Sequence, residues 1–353
     1  MKACAKDVDI MSYMAKKSVR NYTALTKFVS KHVSTPKTPR IIPLSSINLE
    51  EKHIGMGAFN KVYRGIYRTE VSKRKKLIAY KTTKDKGTMS KKFHASLEDE
   101  AKCLYSLNHK NIVKLIGISM DDNGLKRGLV LEYCEGGTLD EFTHEKRGIV
   151  NYYILVNFLK QIAGAMTYIN RTITHGDLKL MNIFIKQKMC DHDLHNPIKS
   201  CKKCLGIDAM KFTLKIGDFG CSRSIESSTS FGNNTGPYAA YETLSEGITT
   251  TASDVYSFTV IMWEMLTCEK PFNGFDMLGL LRKWIDLKPQ DTILEFPVCP
   301  VPLKKLIVRG LNRDPTLRPT FYEIKNVLKI FQNDLRLDNK KQQKNFHYIV
   351  RRY

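Results

Sequence analysis

The chain is short of acidic residues. Asp and Glu number 35 against 57 Lys and Arg, which leaves a formal net charge of +22. It also lacks any apolar run of about 18 residues, so no membrane-spanning helix is expected. No apolar stretch follows Met1-Lys2-Ala3-Cys4, which argues against a secretory signal, and Lys2 in place of Gly excludes N-myristoylation. Cysteine is sparse and odd in number. Nine residues scattered along the chain fit reduced thiols in a cytoplasmic protein better than a disulfide framework. No internal repeat stands out. Apolar residues are plentiful, at 42% of the chain, enough for one large domain or two lobes in 353 residues.

The positive excess is uneven. Residues 1–46 carry nine Lys/Arg and two Asp, a net +7, and residues 336–353 carry six Lys/Arg and one Asp, a net +5. Such a balance suits nucleic acid or an acidic membrane surface. The basic residues are not interleaved with a nucleic-acid-binding motif, so nucleic acid is not expected. Basic tails on an otherwise ordinary soluble protein are the simpler reading, with an acidic partner for the tails as the alternative.

Residues 1–46 read as a basic extension that ends in a linker, Ser34-Thr35-Pro36-Lys37-Thr38-Pro39, with a short helix expected over 13–28. From Ile47 to about residue 83, short β-rich segments alternate with Gly. A helix is expected over 91–107, then strands over 112–119 and 127–133. Apolar periodicity predicts helices over 151–170, 254–267, 276–286, 301–311 and 320–335. A β-rich first part followed by a helical second part implies an α+β protein of two lobes.

Several motifs carry chemistry. In His175-Gly176-Asp177-Leu178-Lys179-Leu180-Met181-Asn182, an Asp with an Asn five residues on holds a hydroxyl nucleophile and a metal on one short loop. Further along, a hydrophobic strand leads into Asp218-Phe219-Gly220. Gly55-Met56-Gly57-Ala58-Phe59-Asn60-Lys61-Val62 lies between strand-like segments, where glycines let a backbone close over phosphate oxygens. Taken alone, such a Gly-x-Gly is often just a hairpin turn. Lys81, in Ile78-Ala79-Tyr80-Lys81, follows Val62 by nineteen residues.

In this order and spacing the motifs resemble the eukaryotic-type protein kinase family, over residues 47 to about 335. The resemblance implies a bilobal fold, with an N-lobe and hinge over 47–135 and a C-lobe over 136–335 that carries an insert at 187–211. It implies ATP and magnesium. Gly55 and Gly57 would cover the phosphates, Val62 would cover the adenine, Leu131 would be the gatekeeper beside its pocket, and Ala79 and Phe184 would belong to the nucleotide-binding set. Glu132 and Cys134 would offer hinge backbone, and Lys81 would pair with a helical Glu. Glu100 is preferred over Glu98, because it precedes His109-Lys110-Asn111-Ile112-Val113 at the family spacing. Asp177 would take the substrate proton, Lys179 would offset charge on the transferring group, and Asn182 and Asp218 would hold the metal. Asp254 would brace the catalytic loop, and Arg318 would form a buried ion pair with Glu242.

Lys179, two residues after Asp177, and Thr235, seven before Glu242, follow the serine/threonine pattern. The string Lys215 to Ser222 is similar to Mos-type kinases, and Asp254 to Pro271 to the tyrosine-kinase-like and MAP-kinase-kinase-kinase groups more widely. On that resemblance the substrates would be MAP-kinase kinases.

Three positions depart from the family pattern: Asn60 for a Gly, Gly176 for an Arg and Tyr241 for a Pro. Asn at position 60 is a mild change, because it tolerates left-handed backbone better than most residues. Gly176 removes an Arg that reads activation-segment phosphate in many relatives, so phosphate on Ser227, Ser228, Thr229 or Ser230 is not expected to act through it. The competing function is a kinase-fold scaffold that binds signalling partners without turnover. In the insert, Cys201-x-x-Cys204 is half of a zinc-type site that Cys190 with His192 or His195 would complete; a solvated loop with free thiols is the competing reading.

Overall fold

A computed structural model describes residues 38–57, 60–69, 74–83, 90–124, 126–146, 152–188, 211–224, 236–275, 277–287, 293–295 and 297–341. The helix expected over 13–28, the 190–204 cysteine and histidine set, Ser227 to Ser230 and Thr235 lie outside the described residues.

The first half builds a six-stranded sheet from β1 (Ile41–Pro43), β2 (Ile47–Met56), β3 (Asn60–Arg68), β4 (Lys75–Thr83), β5 (Leu115–Met120) and β6 (Lys126–Glu132). The strand order is β1-β5-β6-β4-β3-β2, with only the β1–β5 pair parallel. Ile41 to Pro43, within the extension and linker expected over 1–46, is therefore an edge strand. The twofold period of β4 decides which side chains meet the cleft. Ile78 and Tyr80 go to one face, in a cluster with Ile42, Tyr67 and Val130. Ala79 and Lys81 take the other face, across from Leu131 and Leu129 on β6. Helix α1 (Ser90–Ser106) covers that second face through Leu97 and Ala101, which pack on Ile118 and Leu129.

The second half is helical. It contains α2 (Leu139–Glu141), continued by a π turn over Phe142–Lys146, then α3 (Tyr152–Ile169), α4 (Tyr241–Glu246), α5 (Thr251–Thr267), α6 (Met277–Asp286), α7 (Val301–Gly310) and α8 (Phe321–Lys341). The helices expected over 151–170, 254–267, 276–286, 301–311 and 320–335 all form, and α8 runs past the anticipated end at 335. Helix α5 is buried on nearly every side, from Ser253 to Leu266, as expected of a helix that is apolar all round. Thr250 starts it with a capping box to Ser253. Short strand pairs hold the loops between the halves: β7 (Ile173–Thr174) with β10 (Arg223–Ser224), and β8 (Ile183–Ile185) with β9 (Leu214–Ile216). No helix among the described residues is long and apolar enough to cross a membrane.

One buried ion pair ties the end of the helical half to its middle. Arg318 Nη1 lies 2.6 Å from Glu242 Oε1 and its Nη2 lies 2.8 Å from Oε2. The remaining guanidinium donors go to the carbonyls of Ala252, Asn312 and Arg313. Removing one partner leaves a buried charge unpaired, which costs about 3–5 kcal/mol. Arg318→Ala should therefore lower the melting midpoint by roughly 5 °C or more, with ATP affinity unchanged; an unaltered thermal melt would remove the ion pair from the stabilising set.

Candidate active site

The catalytic loop is held from below by α5. Asp254, in the first turn of that helix and buried, accepts the Asn170 Nδ2 at 2.9 Å and the His175 N–H at 2.8 Å on Oδ2, and the Gly176 N–H at 2.9 Å on Oδ1. His175 is buried, packs its ring 4.9 Å from that of Phe219 and places Nε2 3.2 Å from the Gly217 carbonyl. The loop that carries Asp177 and the loop that carries Asp218 are thus fixed against each other by one side chain.

Within the loop, Lys179 Nζ donates to Asp177 Oδ1 at 3.0 Å and Oδ2 at 2.8 Å. Asn182 Nδ2 donates to the Asp177 carbonyl at 2.8 Å and to its Oδ2 at 2.9 Å. A short 3-10 turn over Leu180–Asn182 makes this possible, because it folds Asn182 back over Asp177 before β8 begins. Asp177, Lys179 and Asn182 form one bonded unit.

Lys81 reaches the same cleft from β4. Its Nζ lies 2.8 and 2.7 Å from the two Glu100 carboxylate oxygens and 2.8 Å from Asp218 Oδ1. The choice of Glu100 agrees with this geometry, and the bond to Asp218 is additional. Burial would lower the Lys81 ammonium's pKa, but the two carboxylates outweigh it and hold it well above the usual lysine range. Burial likewise pushes the Asp218 carboxyl up, yet the Lys81 charge and hydrogen bond, with His175 and Lys179, hold it below the usual range. The signs fix a pH window. The Lys81 contribution is present below the ordinary lysine pKa and lost as pH rises past its elevated value. The Asp218 contribution is present above the ordinary carboxylate pKa and lost as pH falls through its depressed value. Both are in place at neutral pH.

The phosphate-loop glycines behave differently from Gly176. Neither Gly55 nor Gly57 adopts left-handed backbone, and an added Cβ would make contacts no closer than 3.8 Å, to Val62. The fold alone does not require glycine there, and the missing side chains leave open space at both positions. Asn60 also needs no left-handed allowance, because it is the first residue of β3, paired with Thr83, while its carbonyl accepts the Gly57 N–H at 2.9 Å. Val62 pairs with Lys81 in register, and Ala79 pairs with Leu131, so these side chains share the cleft face of the sheet. Phe184 lies on β8 beside Gly217, where an added Cβ would come within 3.0 Å of its ring. Cys134 is buried, which pushes its thiol up to about 12.

Lys215 was missed in the sequence, where a Lys on a strand reads as solvent-facing. It is buried, with Nζ 2.6 Å from Glu132 Oε1 and 3.2 Å from the Ile112 carbonyl. It therefore ties the hinge residue Glu132 to the strand that leads into Asp218. Only the fold shows this, since the partners are 83 positions apart.

Gly176 has φ +78°, a conformation that costs an L-residue about 1–2 kcal/mol. Gly176→Ala should lower unfolding free energy by roughly 1 kcal/mol; chemical denaturation reads this directly, and an unchanged midpoint would mean that the loop relaxes out of this conformation.

The profile described as protein tyrosine and serine/threonine kinase matches residues 48–328. Among curated proteins, mitogen-activated protein kinase kinase kinase 10 of Xenopus laevis is 32% identical over 290 residues, covering 80% of this chain and 26% of that protein. Mitogen-activated protein kinase kinase kinase 11 of Homo sapiens is 32% identical over 308 residues, or 84% of this chain and 33% of that protein. A mitogen-activated protein kinase kinase kinase of Drosophila melanogaster is 31% identical over 88% of this chain and 24% of its own length. The chain thus spans about a quarter to a third of the relatives it matches. With a β-sheet lobe, a helical lobe and the Lys81–Glu100–Asp218 cluster beside Asp177, the chain belongs to the protein tyrosine and serine/threonine kinase family, among relatives named as MAP kinase kinase kinases.

Proposed function

We propose that this chain transfers the γ-phosphoryl group of ATP to Ser or Thr hydroxyls of proteins, and that its substrates are MAP-kinase kinases in a signalling cascade. The observation that carries the reading is the convergence of Lys81 and Glu100 from the sheet lobe with Asp177, Lys179, Asn182 and Asp218 from the helical lobe. The substrate class follows the printed names of the relatives, and the Ser/Thr preference follows Lys179. A cytoplasmic setting suits Cys103, Cys134, Cys221, Cys268 and Cys299, none of which is in a disulfide among the described residues.

Asp218 and Asn182 offer hard oxygen ligands that suit magnesium. Asn182 turns its amide nitrogen to Asp177, which directs its amide oxygen away from that carboxylate. Magnesium-bound ATP supplies the phosphoryl group and offsets its charge. Lys81 has three N–H donors and three carboxylate oxygens around it, of which Asp218 is the more exposed partner, at 43%. That edge of the ammonium is the one able to orient phosphate. Asp177, fixed by Lys179 and Asn182, accepts or orients the proton of the attacking hydroxyl. Lys179 holds a positive charge beside that carboxylate, where negative charge on the moving group needs an offset. Val62, Ala79, Leu131 and Phe184 enclose the adenine, with backbone of Glu132 and Cys134 at its edge.

The test is a phosphorylation assay on the full chain with a generic substrate and a MAP-kinase kinase. Lys81→Met and Asp177→Asn should each lower turnover by at least about 100-fold, with the fold retained by circular dichroism. ATP binding without transfer in the unmodified chain would support the scaffold reading instead. Because Gly176 offers no guanidinium to a phosphate, phosphatase treatment should leave activity within about twofold. A large loss that maps to Ser227, Ser228, Thr229 or Ser230 would contradict this.

A further inference from the structure

Beside Asp177 the cleft widens into a cavity of about 330 Å³, whose lining includes Lys179, Met181, Pro237, Tyr238, Ala239 and Lys270. It lies between the catalytic loop and the segment leading into α4. In the proposed kinase this is the space open to an acceptor peptide beside Asp177.

A charge arrangement stands behind the cavity wall that phosphoryl transfer does not use. Glu264, on α5, has a side chain with no exposure to solvent. Its Oε2 accepts a hydrogen bond from the Tyr238 hydroxyl, and its Oε1 lies 2.8 Å from His144 Nε2 and 3.6 Å from Lys270 Nζ. Asp140, in α2, is ion-paired to Lys270 and lies 3.8 Å from the same His144 nitrogen. The other His144 nitrogen faces the Cys268 carbonyl at 3.2 Å. Lys270 is half exposed, at 48%, and lines the cavity.

Two carboxylates at the wall of a substrate cleft attract cations, and a buried one requires a counter-charge or hydrogen-bond donors. This chain supplies the cation itself. We propose that Lys270 is a specificity-determining residue, whose ammonium fills the recess formed by Asp140 and Glu264 and so excludes a basic side chain of the acceptor peptide. The cleft then presents Lys179 and Lys270, and both carboxylates behind Lys270 are already satisfied. Peptides with Lys or Arg flanking the acceptor meet repulsion, and peptides with Asp or Glu meet attraction. The inference rests on the cavity being the acceptor-peptide site of the proposed kinase.

Loss of the Lys270 charge leaves Glu264 with its Tyr238 and His144 partners, so the variants are expected to fold, as a thermal melt would verify. Full-length chain carrying Lys270→Met, Lys270→Gln or Lys270→Arg would be compared with the unmodified protein on peptides that differ only by Arg or Glu at each flanking position. Lys270→Met and Lys270→Gln should raise the ratio of kcat/KM for the Arg peptide over the Glu peptide by about tenfold or more at one or more positions, and Lys270→Arg should keep the original ratio. An unchanged ratio in both neutral variants overturns the proposal. Peptide affinity measured by fluorescence anisotropy separates this from failure of the kinase reading. With no turnover at all, tighter binding of the Arg peptide to Lys270→Met still supports the role of Lys270, and equal affinities refute it.

Discussion

The site depends on one buried carboxylate. Asp254 sits in the first turn of α5, the most enclosed of the described helices, and three N–H groups of the catalytic-loop region converge on it. An unpaired carboxylate there would be costly, and unpaired backbone donors above it would be costly too. Each satisfies the other, and the geometry of residues 175 to 177 follows. Asp177 is therefore positioned through the two residues before it, whose backbone N–H groups are held by the helix. His175 extends the same constraint to the Asp218 loop through Phe219 and the Gly217 carbonyl.

Buried charge recurs as the organising device elsewhere in the molecule. Lys81 with Glu100, Lys215 with Glu132, and Arg318 with Glu242 each join separate elements, and in each the cation donates to both carboxylate oxygens or to a further carbonyl. Such pairs define which surfaces can meet more than they add net stability, because the desolvation cost offsets most of the attraction. The Asp140, His144, Glu264, Tyr238 and Lys270 group follows the same logic at the cavity wall, where the partner of a buried carboxylate also decides what else can approach.

The departures from the family pattern have local physical reasons. Gly176 occupies left-handed backbone, which glycine adopts without the penalty that an Arg would carry there. Asn60 is an ordinary strand residue. Tyr241 packs its ring 5.8 Å from that of Trp284 and lies under the Arg313 guanidinium at 4.1 Å, so it contributes an aromatic contact where a Pro would contribute rigidity. None of the three removes a group from the cluster around Asp177.

By itself the sequence determined the two-lobed architecture and the positions of most helices and strands, and its family resemblance pointed to Lys81 and Asp218 and to Asp177, Lys179 and Asn182, which the fold joins in two bonded groups. These were legible because short-range spacing carries them: a two-residue period puts Ala79 and Lys81 on one face, and five positions separate Asp177 from Asn182 across a single 3-10 turn. The edge strand at Ile41 was not legible, because three residues carry no measurable period and its partner lies in β5. Nor were Lys215 and Lys270, each of which reads as an ordinary surface lysine until the fold brings a carboxylate from another element beside it. Tertiary structure decided those pairings, because the energy of a charge depends on the burial and the partners around it, and neither is written in the residues next to it in the chain.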